Sequence, residues 1–184
     1  TYQGAVWITD IEDGTVRVMR EPDCEYIVQV SFSVDDTMLT AATTQGKIYI
    51  WRTTDGLLLD VLQGADKELK GLTFSGDGEA LIYGDREGIV HFTNISSGQT
   101  STISTHIHLV SMVFSVDGRM LATASRNGIV QVWKVTDQAL EFVKQVEYQE
   151  GNPAVMAFSL DGSQLAVGFE NGLIRIWMID TDGF

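Results

Sequence analysis

The dipeptide Phe-Ser recurs four times, at Phe32, Phe74, Phe114 and Phe158, with spacings of 42, 40 and 44 residues. Self-similarity near forty residues confines a chain to stacked repeats or propellers, because one such unit cannot bury its apolar faces alone. After each Phe-Ser comes a turn: Val34-Asp35-Asp36, Gly76-Asp77-Gly78, Val116-Asp117-Gly118 and Leu160-Asp161-Gly162. Asp and Gly tolerate left-handed backbone, so each Phe-bearing strand should end in a hairpin. Fourteen residues after each Phe stands a glycine (Gly46, Gly88, Gly128, Gly172), and five residues further on stands Trp51, Thr93, Trp133 or Trp177. This inner interval does not drift, which predicts three strands joined by turns of fixed length. The stretch from there to the next Phe varies and leaves a fourth strand and a loop to absorb the variation.

Segments such as Lys47-Ile48-Tyr49-Ile50-Trp51 and Gln131-Val132-Trp133 are rich in β-branched and aromatic residues between glycine turns, so the units are strands throughout. Leu173-Ile174-Arg175-Ile176-Trp177 is apolar on both faces, as expected of a small sheet covered on both sides. Apolar residues make up 44% of the chain, charged residues 20%, and there are two prolines, which argues for a folded domain rather than a linker. Twelve Lys plus Arg face twenty-five Asp plus Glu, a net charge of −13 that repels a phosphate backbone, so nucleic acid is an unfavourable partner. Cys24 has no second cysteine to pair with and no long apolar run is present, so the expectation is an intracellular, cytoplasmic chain with no membrane partner.

Residues 114–133 read Phe-Ser-x-Asp-Gly, then Leu-Ala-Thr-Ala-Ser, then Asn-Gly-Ile-Val-Gln-Val-Trp. This unit resembles a WD repeat, and nearly the whole chain follows the pattern. The resemblance implies an all-β fold, an arc of a WD-type β-propeller built from about four four-stranded antiparallel blades, part of a larger ring or completed by a second chain. In that family a Gly-His, a Ser or Thr, a turn Asp and the Trp form a hydrogen-bonded network. Here the turn position holds Gln45, Glu87, Asn127 and Asn171, Thr93 replaces one Trp, and Gly-His is absent. His106, Thr123, Asn127 and Trp133 come nearest to the set.

Residues 1–184 are expected to form a single propeller domain or a fragment of one. Trp7 leads Phe32 by 25 residues, as Trp133 leads Phe158, so residues 1–19 should be a partial blade with a third strand over Gly4–Thr9 and a fourth over Thr15–Met19. Full repeats are expected at 26–63, 68–105 and 108–148, and the last, 153–184, should lack its fourth strand. Thr1 in place of a methionine and the mid-blade ends suggest an excised arc, and unpaired blade edges would invite self-association.

The resemblance puts a binding surface at the loops entering the innermost strand and at the turns joining the second and third strands. Six residues before each Phe lie Tyr26, Glu68, His108 and Asn152; just before each turn position lie Thr44, Arg86, Arg126 and Glu170. The two arginines fall on consecutive repeats and form a local basic spot suited to an acidic or phosphorylated peptide, against the ordinary alternative of isolated surface arginines. His106-x-His108 lacks further metal ligands, and the acidic turns at Asp10-Ile11-Glu12-Asp13-Gly14 and Asp180-Thr181-Asp182-Gly183 lack the full calcium-loop pattern, so no metal is expected. Trp51, Trp133 and Trp177 could line a ligand cage, but their fixed place in the repeat argues for packing.

With no nucleophile motif, phosphate loop or metal cluster, the expected function is a non-catalytic platform that binds other proteins or peptides without a cofactor. Two alternatives stand beside it. One is a hydrolase-type propeller with carboxylates or a metal in a central channel, and the other is the sensor arc of a larger signalling protein.

Overall fold

A computed structural model describes residues 4–20, 26–65, 69–105, 108–136, 139–148 and 151–179. Every regular element among them is a β-strand, and each strand pairs antiparallel with its neighbour in sequence. By internal contact density the chain divides into two units, residues 1–69 and 70–184.

In the first unit β1 (Val6–Thr9) and β2 (Val16–Met19) form a two-stranded sheet. Sheet I follows with β3 (Ile27–Phe32), β4 (Met38–Thr43), β5 (Lys47–Arg52) and β6 (Leu58–Gln63) in consecutive order. Val6 and Met19 of the small sheet pack against Leu39, Ala41, Tyr49 and Trp51 of sheet I.

The second unit starts at β7 (Leu69–Phe74), whose first residue marks the division, and continues with β8 (Ala80–Asp85), β9 (Ile89–Asn94) and β10 (Thr100–Ser104) as sheet II. Sheet III comprises β11 (Leu109–Phe114), β12 (Met120–Ser125), β13 (Ile129–Val135) and β14 (Leu140–Glu147). Sheet IV has three strands, β15 (Pro153–Phe158), β16 (Gln164–Phe169) and β17 (Ile174–Met178). Ile82, Val90 and Phe92 of sheet II form one core with Leu109, Met112, Leu121 and Trp133 of sheet III. The other face of sheet III, with Ala122, Ala124, Val130 and Val132, meets Met156, Leu165, Val167 and Phe169 of sheet IV. Sheets II and III approach closely because Met112 lies over two glycines. A Cβ on Gly71 or on Gly84 would come within 2.6 Å of the Met112 Sδ.

The turn chemistry repeats along with the strands. In the first hairpin of each repeat a serine hydroxyl donates to the Asp two residues on: Ser33 to Asp35 at 2.7 Å, Ser75 to Asp77 at 2.5 Å, Ser115 to Asp117 and Ser159 to Asp161 both at 2.6 Å. The same Asp oxygen accepts the amide N–H two residues further, from Thr37, Glu79, Arg119 and Ser163. These bonds stabilise the ionised carboxylate, so Asp35, Asp77 and Asp161 are held below the usual Asp value, Asp161 at about 2. Gly78, Gly118 and Gly162 supply a positive φ here, whereas the first repeat uses Asp36 at φ 58°.

At the second turn Gly46, Gly88, Gly128 and Gly172 have φ between 78° and 85°. In the three four-stranded sheets this glycine's carbonyl accepts the N–H of a residue just past the fourth strand: Gly64 at 2.9 Å, Thr105 at 2.8 Å and Tyr148 at 2.9 Å. That bond fastens the outermost strand to the turn.

The expectation that residues 173–177 are covered on both sides is corrected. The inner face of sheet IV is packed, but Ile174 is 72% exposed, Ile176 64%, Met178 64% and Val155 62%. Register pairs Ile174 with Gly168 and Ile176 with Ala166, so these apolar side chains share the second face, and no sheet among the described residues covers it.

Candidate functional site

Among the described residues, those singled out by spacing come together in pairs in sheets I, III and IV, where the chain enters the innermost strand beside the turn joining the second and third strands. Thr44 donates its N–H to the Tyr26 carbonyl at 2.9 Å, and Glu170 donates to the Asn152 carbonyl at 3.0 Å. All four side chains are exposed. In sheet IV the pairing extends to the side chains, since Asn152 Nδ2 donates to Glu170 Oε2 at 3.0 Å. Glu68 lies outside the described residues.

Arg86, His108 and Arg126 gather in one place. The Leu109 N–H donates to the Arg86 carbonyl at 2.9 Å, tying the second turn of sheet II to the start of β11. That cross-sheet bond sets Arg86 beside His108, and both line a cleft of about 400 Å³ with Leu109, Val110, Ser125, Arg126, Asn127 and Ile129. Arg86, His108 and Arg126 are exposed at its mouth. Neither guanidinium has an ion pair or hydrogen bond among the described residues. The far end of Asn127 is held by the Ser125 hydroxyl, which donates to its Oδ1, so this part of the wall is fixed. The cleft therefore combines two guanidinium groups and an imidazole with apolar walls, an arrangement that accepts anionic oxygens and excludes part of their water.

The Trp-centred network expected in sheet III is present in part. Trp133 Nε1 donates to Thr123 Oγ1 at 3.3 Å, while Asn127 is engaged with its own turn and His106 lies outside the described residues. Trp51 and Trp133 are buried in cores and Trp177 is partly buried against one, so the packing reading holds for all three.

Sheet II carries a feature that spacing did not single out. Tyr83 fills the space left by Thr93, and its hydroxyl bonds Thr93 Oγ1 at 3.0 Å, which in turn meets Thr100 Oγ1 at 2.8 Å. The Tyr83 ring stacks on His91, with centroids 4.8 Å apart. His91 Nε2 lies 3.6 Å from Asp85 Oδ2, too far for a hydrogen bond, and has no such partner among the described residues. Burial lowers the His91 pKa below its ordinary value against the opposing pull of Asp85. Burial likewise raises that of Tyr83. The available signal was that Thr93 stands where the other repeats place a tryptophan, with Tyr83 ten residues before it.

The acidic turn at Asp10 is self-capped: Asp10 Oδ1 accepts the Glu12 N–H at 2.8 Å, and Asp13 Oδ1 accepts that of Thr15 at 2.8 Å. Asp180 and Asp182 lie outside the described residues. Among the described residues no three His, Cys, Asp or Glu side chains converge as metal ligands would.

Comparison with known proteins identifies two matching family models. One, described as the anaphase-promoting complex subunit 4 WD40 domain, matches residues 30–112; the other, described as WD domain, G-beta repeat, matches residues 97–134. The WD repeat-containing protein slp1 of Schizosaccharomyces pombe is 24% identical over 143 residues, which cover 76% of this chain and 29% of slp1. The WD repeat-containing protein SL1-17 of Schistosoma mansoni is 26% identical over 136 residues, 73% of this chain and 45% of that protein. SEC12-like protein 1 of Arabidopsis thaliana is 26% identical over 147 residues, 67% of this chain and 35% of its own length. The chain thus spans less than half the length of each of these relatives.

Proposed function

This chain belongs to the WD-repeat family, whose members serve generally as non-enzymatic protein-interaction scaffolds, and on that footing we propose that it binds a partner protein at the strand-entry end of its sheets. The observation that carries the reading is the cleft between sheets II and III, where Arg86, His108 and Arg126 meet with no acidic neighbour among its lining residues. Arginine is enriched at interface hot spots because its planar fork makes paired bonds and its stem packs on apolar surface. Tyr26 with Thr44 in sheet I, and Asn152 with Glu170 in sheet IV, are exposed at the corresponding positions of their own sheets. The four Asp residues of the first hairpins are engaged by serine hydroxyls and backbone amides, which favours a structural use of acidic side chains over a hydrolytic one. The net charge of −13 disfavours nucleic acid, and an intracellular setting without a membrane partner completes the proposal.

The test is capture of partner proteins on the immobilised chain, compared with the Arg86→Ala/Arg126→Ala variant and with Arg119→Ala, a surface arginine at the other end of sheet III. Loss of a partner with the double variant alone supports the reading; loss with Arg119→Ala alone moves the surface to the opposite end.

A second reading, self-association through sheet IV, is favoured by the open apolar face of Val155, Ile174, Ile176 and Met178. Light scattering should find a mass that rises with concentration and falls to that of a monomer in Ile176→Lys. A monomer at every concentration would reject it.

A further inference from the structure

We infer that the cleft formed by Arg86, His108 and Arg126 receives the phosphate of a phosphoserine or phosphothreonine carried in an otherwise apolar segment of the partner. The inference rests on the proposed interaction surface and names what that surface reads.

The first ground is the density of nitrogen donors, two guanidinium cations and one imidazole. Three nitrogen-bearing side chains from two sheets share one cleft of about 400 Å³, although the whole chain has twelve Lys and Arg against twenty-five acidic residues. A phosphate presents three acceptor oxygens and close to two negative charges from a single side chain, which matches that density better than one carboxylate does. The second ground is the field outside the cleft. A stretch of several Asp or Glu would bring many charges against a surface of net charge −13, whereas a single phosphate concentrates its charge where the arginines stand. The third ground is the wall. Leu109, Val110 and Ile129 line the same cleft, so the residues flanking the phosphate meet apolar surface and the phosphate meets guanidinium groups in a partly dehydrated setting. Both arginines are exposed at the mouth rather than at the bottom of a slot, so a short serine or threonine side chain reaches them.

The cleft is also preset. The Leu109 N–H to Arg86 carbonyl bond at 2.9 Å holds the two sheets together at this point, and Ser125 with Asn127 closes the turn that carries Arg126. Little backbone ordering remains to be lost on binding.

The test uses three fluorescent peptide libraries with randomised uncharged residues around a fixed central phosphoserine, serine or glutamate, together with a short single-stranded oligonucleotide, all measured by anisotropy. The phosphoserine library should bind more tightly than the other probes. Its affinity should fall on the order of tenfold for each arginine replaced in Arg86→Ala and Arg126→Ala. It should be unchanged in Arg119→Ala. Arg86→Lys/Arg126→Lys keeps the charge and serves where the alanine variants do not fold; it should bind more weakly than the parent because the fork geometry is lost.

Equal binding of the serine and phosphoserine libraries, equal binding of the glutamate library, or tighter binding of the oligonucleotide would each overturn the inference. A partner captured in an arginine-dependent way both before and after phosphatase treatment would overturn it while leaving the interaction surface intact. Capture indifferent to both arginines would remove the surface as well.

Discussion

Sheets II and III have the same strand order and equivalent register between their second and third strands, yet they fill the space between those strands in opposite ways. In sheet III the large residue is on the third strand and the small one on the second, with Trp133 donating to Thr123. Sheet II has Tyr83 on the second strand and Thr93 on the third, joined through their hydroxyls. The positions correspond: Leu121 pairs with Trp133 and Thr123 with Gln131, just as Leu81 pairs with Thr93 and Tyr83 with His91. In both sheets the two residues are therefore diagonal neighbours on one face. The repeat keeps one large side chain and one polar contact across the pair, and it leaves open which strand supplies the bulk.

The comparison can be broken most forcefully at Trp133. Trp133→Thr leaves sheet III with two small residues and an empty site, and chemical denaturation should show a loss of about 3 to 5 kcal/mol. Adding Thr123→Tyr should restore part of it, because the pair then copies sheet II. A loss below about 1 kcal/mol in the single variant would mean that the indole contributes little packing.

Thr93→Trp tests the same idea from the other side. The site beside Tyr83 is already full, so overpacking should cost about 1 to 3 kcal/mol. Combining it with Tyr83→Thr should recover stability, and the double-mutant cycle should show a coupling of about 1 kcal/mol or more. Additive effects would show that the two residues do not share the space.

The smallest expected effect separates the sheets by pH. His91 in sheet II corresponds to Gln131 in sheet III, which bonds Gln145 at 2.9 Å and does not titrate. Because burial lowers the folded pKa of His91, the unfolded chain takes up the proton first. The contribution of neutral His91 is thus fully present above its ordinary value of about 6.5 and is lost as pH falls through the folded pKa. His91→Gln should flatten the stability profile over that interval. An unchanged slope in the variant would assign the dependence to another group.

Much of this architecture was legible in the sequence because its determinants are local. Phe-Ser, the following Asp and the glycine fourteen residues after Phe set turns within a few residues of themselves, so the consecutive antiparallel order of the strands followed from spacing. The pairing of position 26 with 44 and of 152 with 170 was not read from spacing, although each pair spans one hairpin. Features set between sheets were not legible. Met112 closes over Gly71 and Gly84, and the walls of the arginine cleft combine residues from two repeats. The repeated Phe illustrates the same limit: Phe74 is 1% exposed and Phe32 is 50% exposed, although both occupy the same place in their hairpins. Local spacing sets where a side chain sits in its sheet, and only the neighbouring surface decides whether it is covered.

The serine–aspartate clamp of the first hairpin bears on how the chain reaches this structure. Its partners lie two residues apart and the hairpin it closes is short, so forming it costs little loop entropy, and hairpins of this kind arise in roughly microseconds. Four copies pin the register of four hairpins by local bonds. The contacts between sheets, such as Met112 over Gly71 and Gly84, join residues from different repeats and carry the larger loop-closure cost.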